Sequence, residues 1–213
     1  MLNRDEGDEG GLYVMNADGS GDRQLACCGD GGLGWSPDGT AIAYRAVYGS
    51  GQPPGIVIWS TTGVRSLTKE ASYDGWPSWS PNGTKIAYAS AQGDAGDFDL
   101  WLRNADGTGE PVFLHKSAGN PSWSPDGTRI AFEATVGGNV DIYLMNPDGT
   151  HLVRLTDDAG AEVNPTWSPD GTRLAFGSNR SGNFDVYVMN ADGSGPTQIT
   201  TDPAMDVMPS WGS

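Results

Sequence analysis

The sequence predicts an all-β fold, a five-bladed β-propeller of four-stranded antiparallel blades. Two repeated motifs predict it: W-S-P-[DN]-G-T and N-x-D-G-[ST]. The first begins at four tryptophans, and a fifth continues the series at the same spacing of 44 residues: Trp35, Trp79, Trp123, Trp167 and Trp211. The second begins at Asn16, Asn104, Asn146 and Asn190. A repeat of this length without helical periodicity is typical of a propeller blade.

The repeat that begins at Trp167 illustrates the four predicted strands of a blade. They span residues 165–168, 173–176, 185–189 and 197–200. The first turn is Pro169-Asp170-Gly171-Thr172, in which proline fixes φ and Gly171 accepts a positive φ. The second turn is the N-x-D-G motif, and a polar loop connects the two middle strands.

The chain of 213 residues is long enough for one well-buried domain, which we expect to span residues 1–213. The predicted blades cover approximately residues 35–78, 79–122, 123–166 and 167–210, and the fifth combines 1–34 with 211–213. In this arrangement the C-terminal segment 208–211 supplies the first strand of the blade whose outer strands are N-terminal. Pairing of the two ends of the chain therefore closes the predicted ring.

Acidic residues dominate the charge, with 27 Asp and Glu against 12 Lys and Arg and a formal net charge of −15. Such a surface repels phosphate backbones and anionic lipids, so neither nucleic acid nor a membrane is an expected partner. The charge suits solubility, a cation or a basic patch on another protein. No apolar run reaches the roughly 18 residues that a membrane-spanning helix needs.

The N-terminus and the cysteines give little information about compartment. Residues 1–7 are polar and acidic and lack a signal-peptide core, which leaves a cytoplasmic chain or one whose leader has been removed. Cys27 and Cys28 are adjacent, and a disulfide between neighbours is strained. Two thiols alone do not complete a zinc site. We interpret them as small loop residues, with a vicinal redox pair as the alternative.

The strings W-S-P-D-G-T-x-[IL]-A-[FY] and D-[IV]-Y-[LV]-M-N-x-D-G-[ST] resemble the TolB-type, WD-like β-propeller repeat family. The resemblance covers essentially the whole chain and implies the propeller fold. The family's repeat serves periplasmic interaction proteins, surface proteins and the propeller domains of larger peptidases. The resemblance therefore implies a periplasmic or extracellular monomer that binds another protein, with a cytoplasmic location as the alternative.

Acidic residues recur in the loops that enter the predicted first strands. The fifth residue before the repeat tryptophan is alanine in one blade, Ala118, and acidic in the others: Asp30, Asp74, Glu162 and Asp206. In a closed ring these loops converge on one mouth of the central channel. Clustered carboxylates repel one another unless a cation or a basic partner neutralises them, and Ca²⁺ binds oxygen ligands of this kind. The four residues are candidate calcium ligands, and solvated acidic loops are the alternative interpretation.

Two large side chains interrupt the repeat beside these carboxylates. Trp76 and Met208 occupy the third position before the repeat tryptophan, where the other blades carry Gly32, Asn120 and Asn164. An aromatic residue at a channel mouth is suited to stack on a sugar or to receive a side chain of a partner. Covering the hydrophobic core is the alternative role.

The aspartates of the repeated turns are interpreted as structural. The N-x-D-x-S pattern resembles part of a calcium loop, but Cys27 stands where the first copy requires a bidentate Glu. Asp side chains also favour turns by bonding their own backbone. The residues that open three third strands, Asp99, Asp141 and Asp185, are expected to accept bonds from local backbone groups.

The sequence offers little that is typical of catalysis. His115 and His151 lie in different blades, and neither a G-x-S-x-G elbow nor a phosphate loop occurs. We expect a non-enzymatic binding or scaffold propeller that engages another protein through its acidic loop face and central channel. Whether the channel also binds a cation such as Ca²⁺ is left open by the sequence. A carbohydrate-binding or carbohydrate-active propeller is the alternative function, and a carboxylate-based glycosidase falls within it. A repeat fragment without a ligand is a third interpretation.

Overall fold

Short strands joined by tight turns pair with their neighbours in sequence, so the chain folds into successive antiparallel sheets. The computed structural model describes residues 3–4, 11–27, 29–46, 55–68, 73–91 and 97–212, with the backbone alone for 3–4, 11, 25–27 and 29–31. These residues form an all-β propeller with four sheets of four strands and one of three, which confirms the predicted all-β propeller, while the count of five blades in the whole ring stays a prediction. No helix in the described ranges is long and apolar enough to cross a membrane.

The five sheets follow one another along the chain. The first contains β1 (Asn3–Arg4), β2 (Gly11–Val14) and β3 (Arg23–Cys27). The second contains β4 (Gly29–Trp35), β5 (Ala41–Ala46), β6 (Gly55–Ser60) and β7 (Gly63–Ser66). The third contains β8 (Tyr73–Trp79), β9 (Lys85–Ala91), β10 (Asp99–Asn104) and β11 (Val112–His115). The fourth contains β12 (Ala118–Trp123), β13 (Ile130–Val136), β14 (Asn139–Met145) and β15 (Val153–Arg154). The fifth contains β16 (Glu162–Trp167), β17 (Arg173–Ser178), β18 (Asp185–Asn190) and β19 (Thr197–Gln198).

The repeat tryptophan ends the first strand of each four-stranded sheet. These sheets begin at residues 29, 73, 118 and 162, a few residues before the predicted blade boundaries. We call the edge that carries the W-S-P-[DN]-G-T and N-x-D-G turns the turn end of the propeller. The opposite edge, where the first strands begin, is the loop end.

Buried apolar side chains lie between the faces of consecutive sheets. One cluster joins the third and fourth sheets and includes Leu100 and Phe132, both 0% exposed. The next joins the fourth and fifth sheets and includes Ile142 and Phe176, also 0% exposed. Similar clusters join the first three sheets. Because successive residues of a strand point to opposite faces, each inner sheet contributes to the core on both sides.

The repeat tryptophans tie the first strands of consecutive sheets together. Three of them donate an Nε1–H bond to the carbonyl that precedes the repeat tryptophan of the previous sheet: Trp79 to Gly34 (3.1 Å), Trp167 to Ser122 (3.2 Å) and Trp211 to Thr166 (3.1 Å). The indole Nε1 of Trp123 is buried and has no hydrogen-bond partner among the described residues. The common register of these bonds places neighbouring first strands side by side in the same direction.

The aspartates of the repeated turns close them through side-chain bonds, which confirms their predicted structural role. Oδ1 of Asp170 accepts bonds from Oγ of Ser168 (2.6 Å), the backbone N of Thr172 (3.0 Å) and Oγ1 of Thr172 (2.8 Å). These bonds, led by that of Ser168, lower the pKa of Asp170 to about 2. Asn82 accepts the corresponding three bonds in the third sheet. The turn therefore needs an oxygen acceptor more than it needs a charge.

The aspartates that open the third strands have partners beyond the loops that precede them. Oδ1 of Asp99 accepts a bond from the backbone N of Ser117, at the start of the next sheet. Oδ2 of Asp141 lies 2.7 Å from Nη2 of Arg154, on the fourth strand. The expectation of backbone partners in the preceding loop was wrong for Asp141, whose partners Arg154 and Thr156 lie on or just after the fourth strand. Asp185 accepts a bond from Oγ of Ser181 in the preceding loop and one from Nε2 of Gln198 on the fourth strand.

The ends of the chain do not pair within the described residues. The first sheet has three strands, and 199–212 contributes no strand to it. The C-terminal segment instead lies against the fifth sheet, where the Trp211 indole bonds Thr166. Closure of the ring by pairing of the two ends stays a prediction.

The bond between Trp167 and Ser122 can be tested against a matched site. Trp167→Phe removes the donor but keeps an aromatic ring for Arg129, whose guanidinium carbon lies 4.7 Å from the Trp167 ring centroid. Trp123→Phe is the control, because these two tryptophans are 6% and 9% exposed and the Trp123 indole has no partner in the described part of the chain. We expect Trp167→Phe to lower the free energy of unfolding by about 1 kcal/mol more than the control, measured by urea denaturation. Equal losses would contradict a stabilising bond between the sheets.

The Asp170 turn predicts a specific dependence of stability on pH. The pKa of Asp170 falls from an ordinary 3.8 to about 2 on folding, so its contribution is complete above the ordinary value and is lost as the pH falls through the lower one. Asp170→Asn keeps the acceptor, as Asn82 does, and removes the titration. We expect the stability difference between wild type and variant, measured by urea denaturation, to shrink as the pH is lowered from about 5 towards 2. A constant difference across this range would overturn the assignment.

Candidate functional site at the loop end

The first strands share a backbone irregularity near the loop end. In four sheets the pairing of the first and second strands shifts register there. The third residue before each repeat tryptophan has a left-handed backbone: Gly32 (φ 77°), Trp76 (50°), Asn120 (47°), Asn164 (54°) and Met208 (58°). Glycine and asparagine tolerate this region, whereas other residues pay about 1–2 kcal/mol for it. We call these five residues the left-handed positions.

Contacts show that consecutive left-handed positions are neighbours. A Cβ atom on Gly32 would lie 2.9 Å from the backbone N of Trp76, so the two backbones approach too closely for a side chain at residue 32. Glu133 bridges the positions of the fourth and fifth sheets, since its Oε1 accepts a bond from Nδ2 of Asn120 (2.8 Å) and its Oε2 accepts one from the backbone N of Asn164 (2.8 Å). The left-handed positions therefore mark where the first strands converge at the loop end.

A cavity of about 390 Å³ opens beside Trp76, between the third and fourth sheets. The ring of Trp76 packs edge-to-face against Phe98, with centroids 4.9 Å apart and an interplanar angle of 85°. Ser117, Asn120 and Glu133 also line the cavity. It therefore combines aromatic surface with a few hydrogen-bonding groups, a composition typical of ligand sites.

Sequence reasoning missed Glu133. Burial raises the pKa of Glu133, and the bonds from Asn164 and Asn120 lower it in part. Glu133 lies on β13, ten residues after Trp123, and the corresponding residues of the other repeats are Arg45, Ala89 and Gly177. This departure from the repeat was the signal that could have identified it.

The predicted carboxylates differ in their exposure. Asp74 and Glu162 are buried, at 2% and 0% exposed, whereas Asp206 is half-buried. Asp30 lies in β4, but its side chain is outside the described set. No group of three His, Cys, Asp or Glu side chains suited to a metal ion occurs among the side chains described. The calcium site therefore stays a prediction.

Glu162 belongs to a hydrogen-bond network within its own sheet. Its Oε1 accepts a bond from Oγ of Ser178 (2.9 Å) and lies 3.2 Å from Nη2 of Arg180. Burial raises the pKa of Glu162, and the bonds from Ser178 and Arg180 oppose that shift. The Arg180 guanidinium carbon also lies 4.9 Å from the ring centroid of Tyr187. Glu162 is thus an internal ion-pair partner of Arg180, without exposure at the mouth.

Met208 is strongly exposed, at 68%. Its segment follows the path of a first strand, because the backbone N of Asp206 donates to the carbonyl of Phe184 (2.8 Å) as that of Ala118 donates to Phe98 (2.7 Å). The structure therefore places Met208 at the loop end in the position that corresponds to Trp76.

Replacement of Met208 tests the cost of its left-handed backbone. Met208→Asn installs the residue found at two other left-handed positions, and Met205→Asn is the control, since Met205 is 69% exposed and is not among the residues with positive φ. We expect Met208→Asn to raise the free energy of unfolding by about 1 kcal/mol relative to the control, measured by chemical denaturation. Equal effects of the two substitutions would show that residue 208 stores no strain.

Comparisons with known proteins agree with this architecture. The TolB beta propeller domain matches residues 77–213. A putative TolB from Agrobacterium tumefaciens is 26% identical, with a TM-score of 0.70 over 84% of this chain and 70% of that one. TolB from Acinetobacter baumannii is 20% identical, with a TM-score of 0.76 over 90% of this chain, which spans 49% of that protein.

Enzymes share the fold as well. An oligogalacturonate lyase in complex with manganese is 19% identical, with a TM-score of 0.65 over 92% of this chain and 60% of that one. No curated protein matches the sequence. The family match covers more than half of the chain and agrees with the repeat and with the sheet topology. The chain belongs to the TolB beta propeller domain family.

Proposed function

We propose that this propeller is a non-enzymatic binding protein that engages another protein through its loop end. The observation that carries the proposal is the presence of Trp76 and Met208 at left-handed positions, where the other repeats have glycine or asparagine. Strained backbone at a large side chain persists where another role compensates for its cost. Trp and Met side chains offer large contact areas and are enriched in protein interfaces.

Charge supports a basic partner surface. Asp97, Asp157 and Asp202 are exposed in connections at the loop end, and the half-buried Asp206 lies at the same end. The connections at this end also hold the exposed Lys116 and the half-buried Arg180, and Arg180 is paired with Glu162. An acidic loop end steers a partner that presents positive charge.

The proposal assigns different roles to the predicted site residues. Trp76, Asp206 and Met208 belong to the binding surface, whereas Asp74 and Glu162 support the strands beneath it. Full burial of Glu162 argues against a glycosidase that would use it, since both carboxyl groups of such an enzyme must reach the substrate. Calcium at Asp30 and its neighbours is not required for this function. The family resemblance supports a periplasmic or extracellular monomer.

Site-specific photo-crosslinking tests the proposed surface. p-Benzoylphenylalanine replaces Met208 at the loop end or Leu152, which is 47% exposed at the turn end. We expect a single dominant protein adduct from position 208 and none from position 152 in the cells that produce the protein. The purified partner should then bind the Trp76→Asn variant about tenfold more weakly than wild type. Adducts from position 152 alone, or equal adducts from both positions, would contradict the proposal.

The cavity beside Trp76 favours carbohydrate as a second candidate ligand. Its aromatic wall and its amide and hydroxyl groups suit the apolar face and the hydroxyls of a sugar. Glu133 and the exposed Asp97 would repel acidic sugars, so the candidate is a neutral oligosaccharide. Titration of neutral oligosaccharides with wild type and Trp76→Asn distinguishes the two functions. Binding that the substitution abolishes would replace the protein-partner proposal with this one.

A further inference from the structure

The cavity beside Trp76 is lined by the carboxyl groups of Glu133 and Asp97. Glu133 accepts bonds from an amide and from a backbone N–H, and no Lys or Arg is among the described residues that line the cavity. The exposed Asp97 adds a second carboxylate to the lining. Each oxygen of an ionised carboxylate accepts about two bonds, so both Glu133 oxygens retain acceptor capacity. A half-buried carboxylate with neutral partners gains most from a cation that enters from outside.

The aromatic lining specifies the kind of cation. Trp76 and Phe98 form a perpendicular pair, with centroids 4.9 Å apart, and both line the cavity. A guanidinium group stacks on aromatic rings and donates parallel bonds to a carboxylate, because it is planar and carries five donors. An ammonium group binds as a point charge and lacks the planar surface.

The combination is specific to the junction between the third and fourth sheets. Residues that correspond to Glu133 are Ala89 and Gly177 in the neighbouring repeats, and those that correspond to Trp76 are Asn120 and Asn164. The left-handed backbone of Trp76 holds its indole against Phe98 at this junction alone among the described residues. Glu133 and Trp76 therefore both depart from the residues of the neighbouring repeats, and both line the same cavity.

We propose that this cavity receives an arginine side chain of the partner protein, with the guanidinium stacked on the aromatic pair and bonded to Glu133. The inference rests on the proposed protein-binding function and deepens it by naming the recognised group. Charge complementarity supports this occupant, because the described lining supplies the carboxyl groups of Glu133 and Asp97 and no Lys or Arg side chain.

A short peptide serves as the probe. Acetyl-Gly-Gly-Arg-Gly-Gly-amide is titrated into the ¹⁵N-labelled protein, and the shift of the Trp76 indole N–H signal, assigned with Trp76→Asn, is followed by NMR. We expect saturable shifts with the arginine peptide and none with a citrulline peptide, which keeps the shape and lacks the charge. Glu133→Gln should weaken binding about tenfold, whereas Asp157→Asn, which removes an exposed loop-end charge outside the cavity, should change it less than about twofold.

Several outcomes would overturn the inference. Equal binding of the citrulline peptide would remove the role of charge, and equal binding of a lysine peptide would remove the guanidinium assignment. If Asp157→Asn and Glu133→Gln weaken binding of the arginine peptide equally, the peptide is attracted by the acidic surface in general and not by the cavity. If Glu133→Gln alters the NMR spectrum of the folded protein, Phe98→Leu serves as the test variant instead. It should weaken binding of the arginine peptide and leave the binding of the lysine and citrulline peptides unchanged.

Failure of this inference is distinguishable from failure of the proposed function. A partner adduct from position 208 without binding of the arginine peptide would reject the cavity and keep the loop-end surface. Absence of both the partner adduct at position 208 and the binding of the arginine peptide would reject the protein-binding proposal itself.

Discussion

The close approach of the first strands is the constraint on which the rest of the structure depends. At the loop end, backbones come so near that a Cβ on Gly32 would lie 2.9 Å from the backbone N of Trp76. A left-handed residue in each first strand permits this approach, and the repeat tryptophans bond the preceding sheet nearer the turn end. Once the first strands are fixed, the sheets face one another and bury their apolar sides between them. The outer strands then follow by antiparallel pairing.

The two ends of the propeller differ in how much the repeat can vary. At the turn end, Asp170 and its counterparts bond the same neighbouring groups, so the motif is used again with little change. At the loop end, the backbones of the first strands must approach one another, but the side chains at the point of approach can differ from repeat to repeat. Trp76, Glu133 and Met208 are such differences, and they supply the aromatic surface, the half-buried carboxylate and the exposed thioether on which the two proposals rest.

The repeat predicted the fold because the tryptophan motif recurs every 44 residues with strand patterns between its copies, and the same spacing identified Trp76 and Met208 as exceptions. It could not predict the backbone strain at those residues, since φ is set by the neighbouring strand. Nor could it predict that Arg180 pairs with the buried Glu162, because that contact depends on a loop side chain folding back across the sheet. Glu133 was missed because acidic residues were sought at one repeat position, although the second strand reaches the same convergence point.

Hydrogen exchange at the backbone amide of Asn164 tests the convergence of the first strands most directly. This amide bonds Oε2 of Glu133 on the adjacent sheet at 2.8 Å, and its protection depends on the two sheets staying together. Measured in the native state, its opening free energy should equal that of the global core, represented by the amide of Leu174. Exchange as rapid as that of loop amides such as Ser181 would contradict the account, because the first strands would then separate without unfolding of the sheets.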